Sequence, residues 1–170
     1  KIPYISLIVT TDLTTQDLKR QLNIKKNSTV FGCYGGSSSF DLKFVQDAIL
    51  NLAKSRKDIF FLFLNIEKFC NHPRIKFIKG TSNEIYKKKF INSCDAMIYG
   101  RSLGESFGLA CGEFAINNKT IFSYKFNRHR SHVYNISNSQ LIEYSSYKDI
   151  INLLSNFKKK KEKINSNKYK

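Results

Sequence analysis

Several residue types and patterns are scarce or missing, and each gap removes a class of function. The longest apolar run, Ile59–Leu64, spans six residues, far short of the ~20 that cross a bilayer. No signal-peptide pattern opens the chain. None of the four cysteines (Cys33, Cys70, Cys94, Cys111) forms a Cys-x-x-Cys pair, which argues against a zinc site. They read instead as reduced thiols of a cytosolic protein, with Cys94 and Cys111 as small buried hydrophobes. Acids are few, 13 against 29 Lys+Arg, for a formal net charge of +16. That excess is lysine, 23 against six Arg, beside 16 Asn, two Pro and no Trp. AT-rich codons impose this bias, so the charge is a weak pointer to nucleic acid. Residues 157–170 alone hold seven of the lysines.

What is present suffices for a packed domain. A chain of 170 residues suits one domain and buries roughly two-thirds of its unfolded surface. Hydrophobic residues at 41% and aromatics at 14% exclude a disordered chain. Position 1 is Lys, and an excerpt from a longer protein is expected.

Strand and helix patterns alternate along the chain. β-branched and apolar runs predict strands at 4–9, 29–34, 59–65, 75–78, 96–99, 120–124 and 141–144. Between them, apolar residues at helical spacing predict helices at 14–22, 41–53, 83–92, 107–116 and 147–157. This alternation implies right-handed crossovers and an α/β fold, a Rossmann-like doubly wound parallel sheet. The expected division is a lead-in segment and linker helix at 1–27, a Rossmann-like domain at 28–157 and a basic tail at 158–170.

In such a sheet ligands sit beyond the carboxyl ends of the strands. Two turns there stand out. Gly35-Gly36-Ser37 follows the strand at 29–34 and permits close backbone approach, but it is neither Gly-x-Gly-x-x-Gly nor a P-loop. The second turn runs from Gly100 through Arg101, Glu105, Phe107, Gly108 and Leu109 into a helix carrying Glu113. Free N–H groups at 107–109, aided by the helix dipole, suit a diphosphate without any metal. A carboxylate one turn into the helix, Glu113, suits ribose hydroxyls, and Glu105 would point toward what the diphosphate carries. The plainer alternative makes Glu105 a helix-capping anion and Glu113 a surface charge.

Glu105-x7-Glu113, set in Glu-Ser-Phe-Gly-Leu-Ala-Cys-Gly-Glu-Phe, resembles the E-x7-E signature of family 4 glycosyltransferases of the GT-B fold. The run is similar to a subgroup found in giant viruses and some bacteria, and the likeness extends over residues 15–125. It implies one half of a GT-B fold: the nucleotide-sugar-binding domain of a hexosyltransferase-type enzyme, inactive as a fragment. The acceptor, a glycan, lipid or protein, would be held by a missing N-terminal domain. By resemblance, Glu113 holds the donor ribose, Glu105 approaches the sugar as the catalytic carboxylate, and the amides of Phe107, Gly108 and Leu109 receive the phosphate. Arg101, Gly35, Gly36 and Ser37 line the donor site, and the base lies near Gly80 and Thr81. The family needs no metal or other cofactor, and no Asp-x-Asp occurs here. Retention of configuration and a cytoplasmic or virus-associated location follow as expectations.

Two positions depart from the family. Cys33 stands where an Arg usually faces the donor phosphates, and Ser or Phe near where a Lys does so several residues later, leaving Arg101 or Lys43 to substitute. A degenerate, non-catalytic glycosyltransferase-like module therefore stays open as an alternative, with a basic nucleic-acid-binding domain behind it. His129 and His132 read as a polar loop near the donor site, Lys87-Lys88-Lys89 as a solvated helix face, and the tail as a possible contact for an anionic membrane surface.

Overall fold

The computed structural model describes residues 14–159. The expected strand at 4–9 and residues 160–170 of the expected tail lie outside them. Six strands form one parallel sheet: β1 (Thr29–Tyr34), β2 (Ile59–Leu64), β3 (Ile75–Ile78), β4 (Ala96–Tyr99), β6 (Thr120–Tyr124) and β8 (Leu141–Tyr144). Between β4 and β6 lies β5 (Gly104–Glu105), which pairs with β7 (His129–Arg130) in a separate two-stranded ribbon. The helices are α1 (Lys43–Ser55), α2 (Glu84–Ser93), α3 (Leu109–Ile116), α4 (Ser131–Asn135) and α5 (Tyr147–Ser155).

The sheet order is β3-β2-β1-β4-β6-β8, and every pairing within it is parallel. The chain winds outward in one direction from β1 to β3, then returns and winds the other way from β4 to β8. This is the doubly wound order, with its reversal between β1 and β4.

Alternate residues of β1 face opposite sides of the sheet. Phe31 stacks on Phe61 at 5.7 Å and meets Phe122 and Phe157, the latter just beyond α5. Tyr34 packs against Phe90 of α2 and Phe114 of α3. Both faces are thus covered, which explains why Ile59–Leu64 reads as a continuous apolar run rather than an alternating one. Each fully buried phenyl ring here contributes ~1.5–3 kcal/mol by leaving water. In α1 the buried residues are Val45, Ala48, Ile49, Leu52 and Ala53, the stripe that its spacing predicts.

Two expectations are corrected. Residues 14–22 do not form a helix; a turn covers residues 19–23. The Thr14 and Asp17 side chains take the amides of Gln16 and Lys19, and the Leu18 amide goes to Ser93 Oγ at 2.8 Å. Local side-chain acceptors and a tertiary acceptor have outcompeted the helical ladder. The helix expected from 107 begins at Leu109, because Gly108 sits in the left-handed region at φ 84°. In the expected tail, the Lys159 ammonium bonds Ser28 O at 2.8 Å and Asp95 at 3.0 Å, with its side chain 39% exposed. Asp95 in turn accepts the Val30 amide at 2.8 Å, tying the amino ends of β1 and β4 to the chain beyond α5.

Gly32 in the middle of β1 is required by packing. A Cβ there would run into Cys94 Sγ and come within 3.4 Å of Leu62 O. Gly32→Ala is expected to lower stability by about 1–3 kcal/mol, with most of that recovered in the Gly32→Ala/Cys94→Ala double variant. Urea denaturation of wild type and the two variants measures it.

Candidate functional site

The reversal between β1 and β4 leaves a crevice at the carboxyl edge of the sheet, where the loops after β1, β3 and β4 converge. Asn65, at the end of β2, joins the first two. Its Nδ2 donates to Gly35 O at 2.7 Å, its amide donates to Ile78 O, and its Oδ1 lies so close to Gly80 that a Cβ there would collide with it. Asn65 adopts φ 58°, a conformation asparagine tolerates better than most residues. Asp41 joins the loops after β1 and β4, accepting Ser102 N at 2.7 Å and Ser102 Oγ at 2.6 Å.

Beside the Asn65 tie lies an open cavity of about 470 Å³. Tyr34, Gly35, Asn65, Lys79, Gly80 and Thr81 line it together with Lys87 of α2. Glu113 stands one hydrogen bond behind this lining. Its Oε2 accepts from the Tyr34 hydroxyl and its Oε1 from Lys87 Nζ at 3.1 Å, and its side chain is only 13% exposed. Glu113 is therefore not a surface charge. Burial and the Glu113 carboxylate push the Tyr34 phenol far above the ordinary tyrosine range, so it stays a donor. Burial works against the charge on the Lys87 ammonium, but Glu84 and Glu113 outweigh it and hold that group above its usual range.

Glu105 belongs to a second cluster. It lies on β5, and its Oε1 accepts from Arg101 Nη1 at 2.9 Å. Arg101 O accepts from Asn127 Nδ2, Asn127 Oδ1 accepts from Ser123 Oγ at 3.1 Å, and Ser123 Oγ stands 2.9 Å from His132 Nε2. With the Ser123 proton committed to Asn127, His132 donates from Nε2. Its Nδ1 finds no hydrogen-bond partner among the described residues; its ring lies 4.8 Å from that of Tyr99, whose phenol is pushed far above its ordinary range by burial, with the Glu105 carboxylate adding to the effect. Gly104 adopts φ 75°, and a Cβ there would collide with His129 O.

The structure thus gathers Gly35, Gly80 and Thr81 into one cavity with Glu113 beside it, and Arg101 with Glu105 into one ion pair. Gly36, Ser37, Phe107, Gly108 and Leu109 do not line the cavity. A Cβ at Gly36 would meet nothing within 4 Å, so packing does not demand glycine there. Leu109, at the start of α3, is 44% exposed. Cys33 is buried and lines no part of the cavity. Lys43 pairs with Asp47. Sequence reasoning misses Tyr34 and Lys87. The first carries a usable signal, as the last residue of a strand aimed at the crevice. The second sits in a run that reads as three solvated lysines, yet Lys87 meets Glu113 and Lys88 is buried against Asn117. Of the two histidines, His129 is exposed and His132 is core.

No group of three His, Cys, Asp or Glu among the described residues could hold a metal ion. No helix among them is long and apolar enough to cross a membrane.

Solved structures share this architecture. Anabaena Alr3699/HepE in complex with UDP-glucose superposes with a TM-score of 0.62 at 16% identity, over 86% of this chain and 43% of that one. The C-terminal domain of a group 1 family glycosyl transferase, LpcC, from Francisella tularensis gives 0.61 at 13% identity, over 84% and 80%. A UDP-forming alpha,alpha-trehalose-phosphate synthase from Burkholderia xenovorans gives 0.60 at 10% identity, over 81% and 36%. The likeness is one of fold. Six parallel strands with helices on both faces match domains of GT-B glycosyltransferases. The chain spans under half the length of HepE. No protein-family model matches the chain, and no curated protein does.

Burial holds His132 neutral, with Arg130 adding to the effect, and pushes its pKa down to about 4 from 6.5. An unfolded chain binds this proton near pH 6.5 while the folded chain refuses it, so stability is intact above pH 6.5 and is lost as pH falls toward 4. The expected loss between pH 7.5 and 4.5 is about 2 kcal/mol. His132→Gln should flatten that window, as read by urea denaturation at the two pH values.

Proposed function

We propose that this chain is the donor-binding domain of a glycosyltransferase, taking a nucleoside-diphosphate sugar. The observation that carries the reading is Glu113, a largely buried carboxylate set by Tyr34 and Lys87 beside a cavity at the carboxyl ends of β1, β2 and β3. A cavity of about 470 Å³ is of ligand size. A lone acid there suits the hydroxyls of a ribose. Gly80 and Thr81 would meet the base, and the amides of Phe107, Gly108 and Leu109, at the start of α3, the diphosphate.

Glu105 would face the sugar, with Arg101 available to move from Glu105 to a phosphate oxygen as charge develops there. Since Cys33 is buried, cationic contacts fall to Arg101 and Lys79. The diphosphate then needs no metal. Transfer with retention, to a glycan, lipid or protein acceptor held by a further domain, completes the proposal, in a cytoplasmic setting. UDP and UDP-glucose in the HepE structures support a nucleotide-sugar donor. Binding without transfer, as a degenerate module, is favoured by one observation: no cation stands at position 33.

Calorimetric titration with UDP, ADP and GDP in EDTA tests donor binding. At least one is expected to bind, and Glu113→Gln to weaken it roughly 10- to 100-fold, the worth of hydrogen bonds to a charged group. Absence of heat with all three, or an unaltered Glu113→Gln, would contradict it.

A further inference from the structure

Both carboxylate oxygens of Glu113 are already in use, one by each of two donors from different elements. Oε2 accepts from Tyr34, the last residue of β1, and Oε1 from Lys87 of α2, while Glu113 itself stands on α3. Neither donor depends on Glu113 for its own position. The Tyr34 ring is fixed between Phe114, at 6.1 Å, and Phe90, at 6.3 Å. Lys87 Nζ pairs with Glu84 at 2.8 Å and stands 5.8 Å from the Tyr34 ring centroid. Both side chains also line the cavity.

An ionised carboxylate offers about four lone-pair sites, two on each oxygen. With one taken on each oxygen, one is left on each. Two fixed donors also remove rotation about the last side-chain bond of Glu113, which otherwise has a broad torsional profile. One acceptor site per oxygen therefore remains, the number that two hydroxyls on adjacent carbons require. Resting on the donor-binding reading above, we infer that Tyr34 and Lys87 are positioning residues that set Glu113 as a two-point acceptor for a vicinal diol, making the site selective for ribonucleotides over nucleotides that lack the ribose hydroxyls. Neither residue needs to touch the sugar for this effect.

The test compares one nucleoside diphosphate with its 2′,3′-dideoxy counterpart, by calorimetry on the 170-residue chain. Whichever of UDP, ADP and GDP binds best supplies the pair. Wild type is expected to prefer the ribonucleotide by roughly tenfold or more. Tyr34→Phe should cut that ratio at least roughly fivefold by weakening the ribonucleotide alone, leaving the dideoxy affinity in place. Lys87→Met should move the ratio the same way, and it decides the matter if Tyr34→Phe does not fold by thermal melt. A ratio unchanged from wild type, or equal weakening of both ligands, overturns the positioning role while the donor-binding reading stands. A wild-type chain that binds none of the three overturns both.

Discussion

Everything at the candidate site depends on where β1 lies. It is paired on one side with β2 and on the other with β4, and the chain winds away from it in opposite directions. Adjacent crossovers on opposite faces cannot fill the space between their own first turns, so a crevice opens at the carboxyl edge. The residues that end β1 are therefore forced into the crevice. Tyr34 is packed by Phe90 of α2 and Phe114 of α3 and polar at the tip, and that tip meets Glu113. A strand position chosen by packing has become a site position.

The two acids that matter are held by different means. Glu113 is held from two sides by donors anchored in the core and in α2. Glu105 is held by a partner on its own loop, Arg101, with both side chains about 30% exposed. Arg101 is anchored from beneath through its carbonyl, by the Asn127–Ser123–His132 chain. A polar cluster this deep is costly unless satisfied, and it fixes the backbone of the loop without occupying the guanidinium. The result is a rigid acceptor at Glu113 and an exchangeable ion pair at Glu105, the division that binding a fixed nucleoside and a reacting sugar calls for.

Much of the fold is legible because local pattern and tertiary demand agree. Phe31, Phe61 and Phe63 lie in runs too short for helices and too apolar for edge strands, and α1 carries its stripe at helical spacing. Disagreement arises where side chains compete with the backbone or where contacts come from far along the chain. Thr14 and Asp17 divert amides that a helix needs. Ile85, apolar and at the spacing of an inward stripe, is 49% exposed, while Lys88 on the same helix is buried. The ribbon of β5 and β7 joins residues 25 apart by two pairs only, too little pattern to read. At the cavity, Gly35, Gly80 and Thr81 are legible from their place after β1 and β3. The roles of Tyr34 and Lys87 are not, since they exist only once β1, α2 and α3 are packed side by side.

The most direct measurement is the amide NMR spectrum of the chain titrated with UDP, ADP or GDP. Shifts at Gly35, Gly80, Leu109 and Glu113, in the loops and helix that follow β1, β3 and β4, are the expected result. A spectrum that stays unchanged with all three nucleotides, or that shifts only around Asp95 and Lys159 at the opposite edge, would contradict a nucleotide site at the switch point.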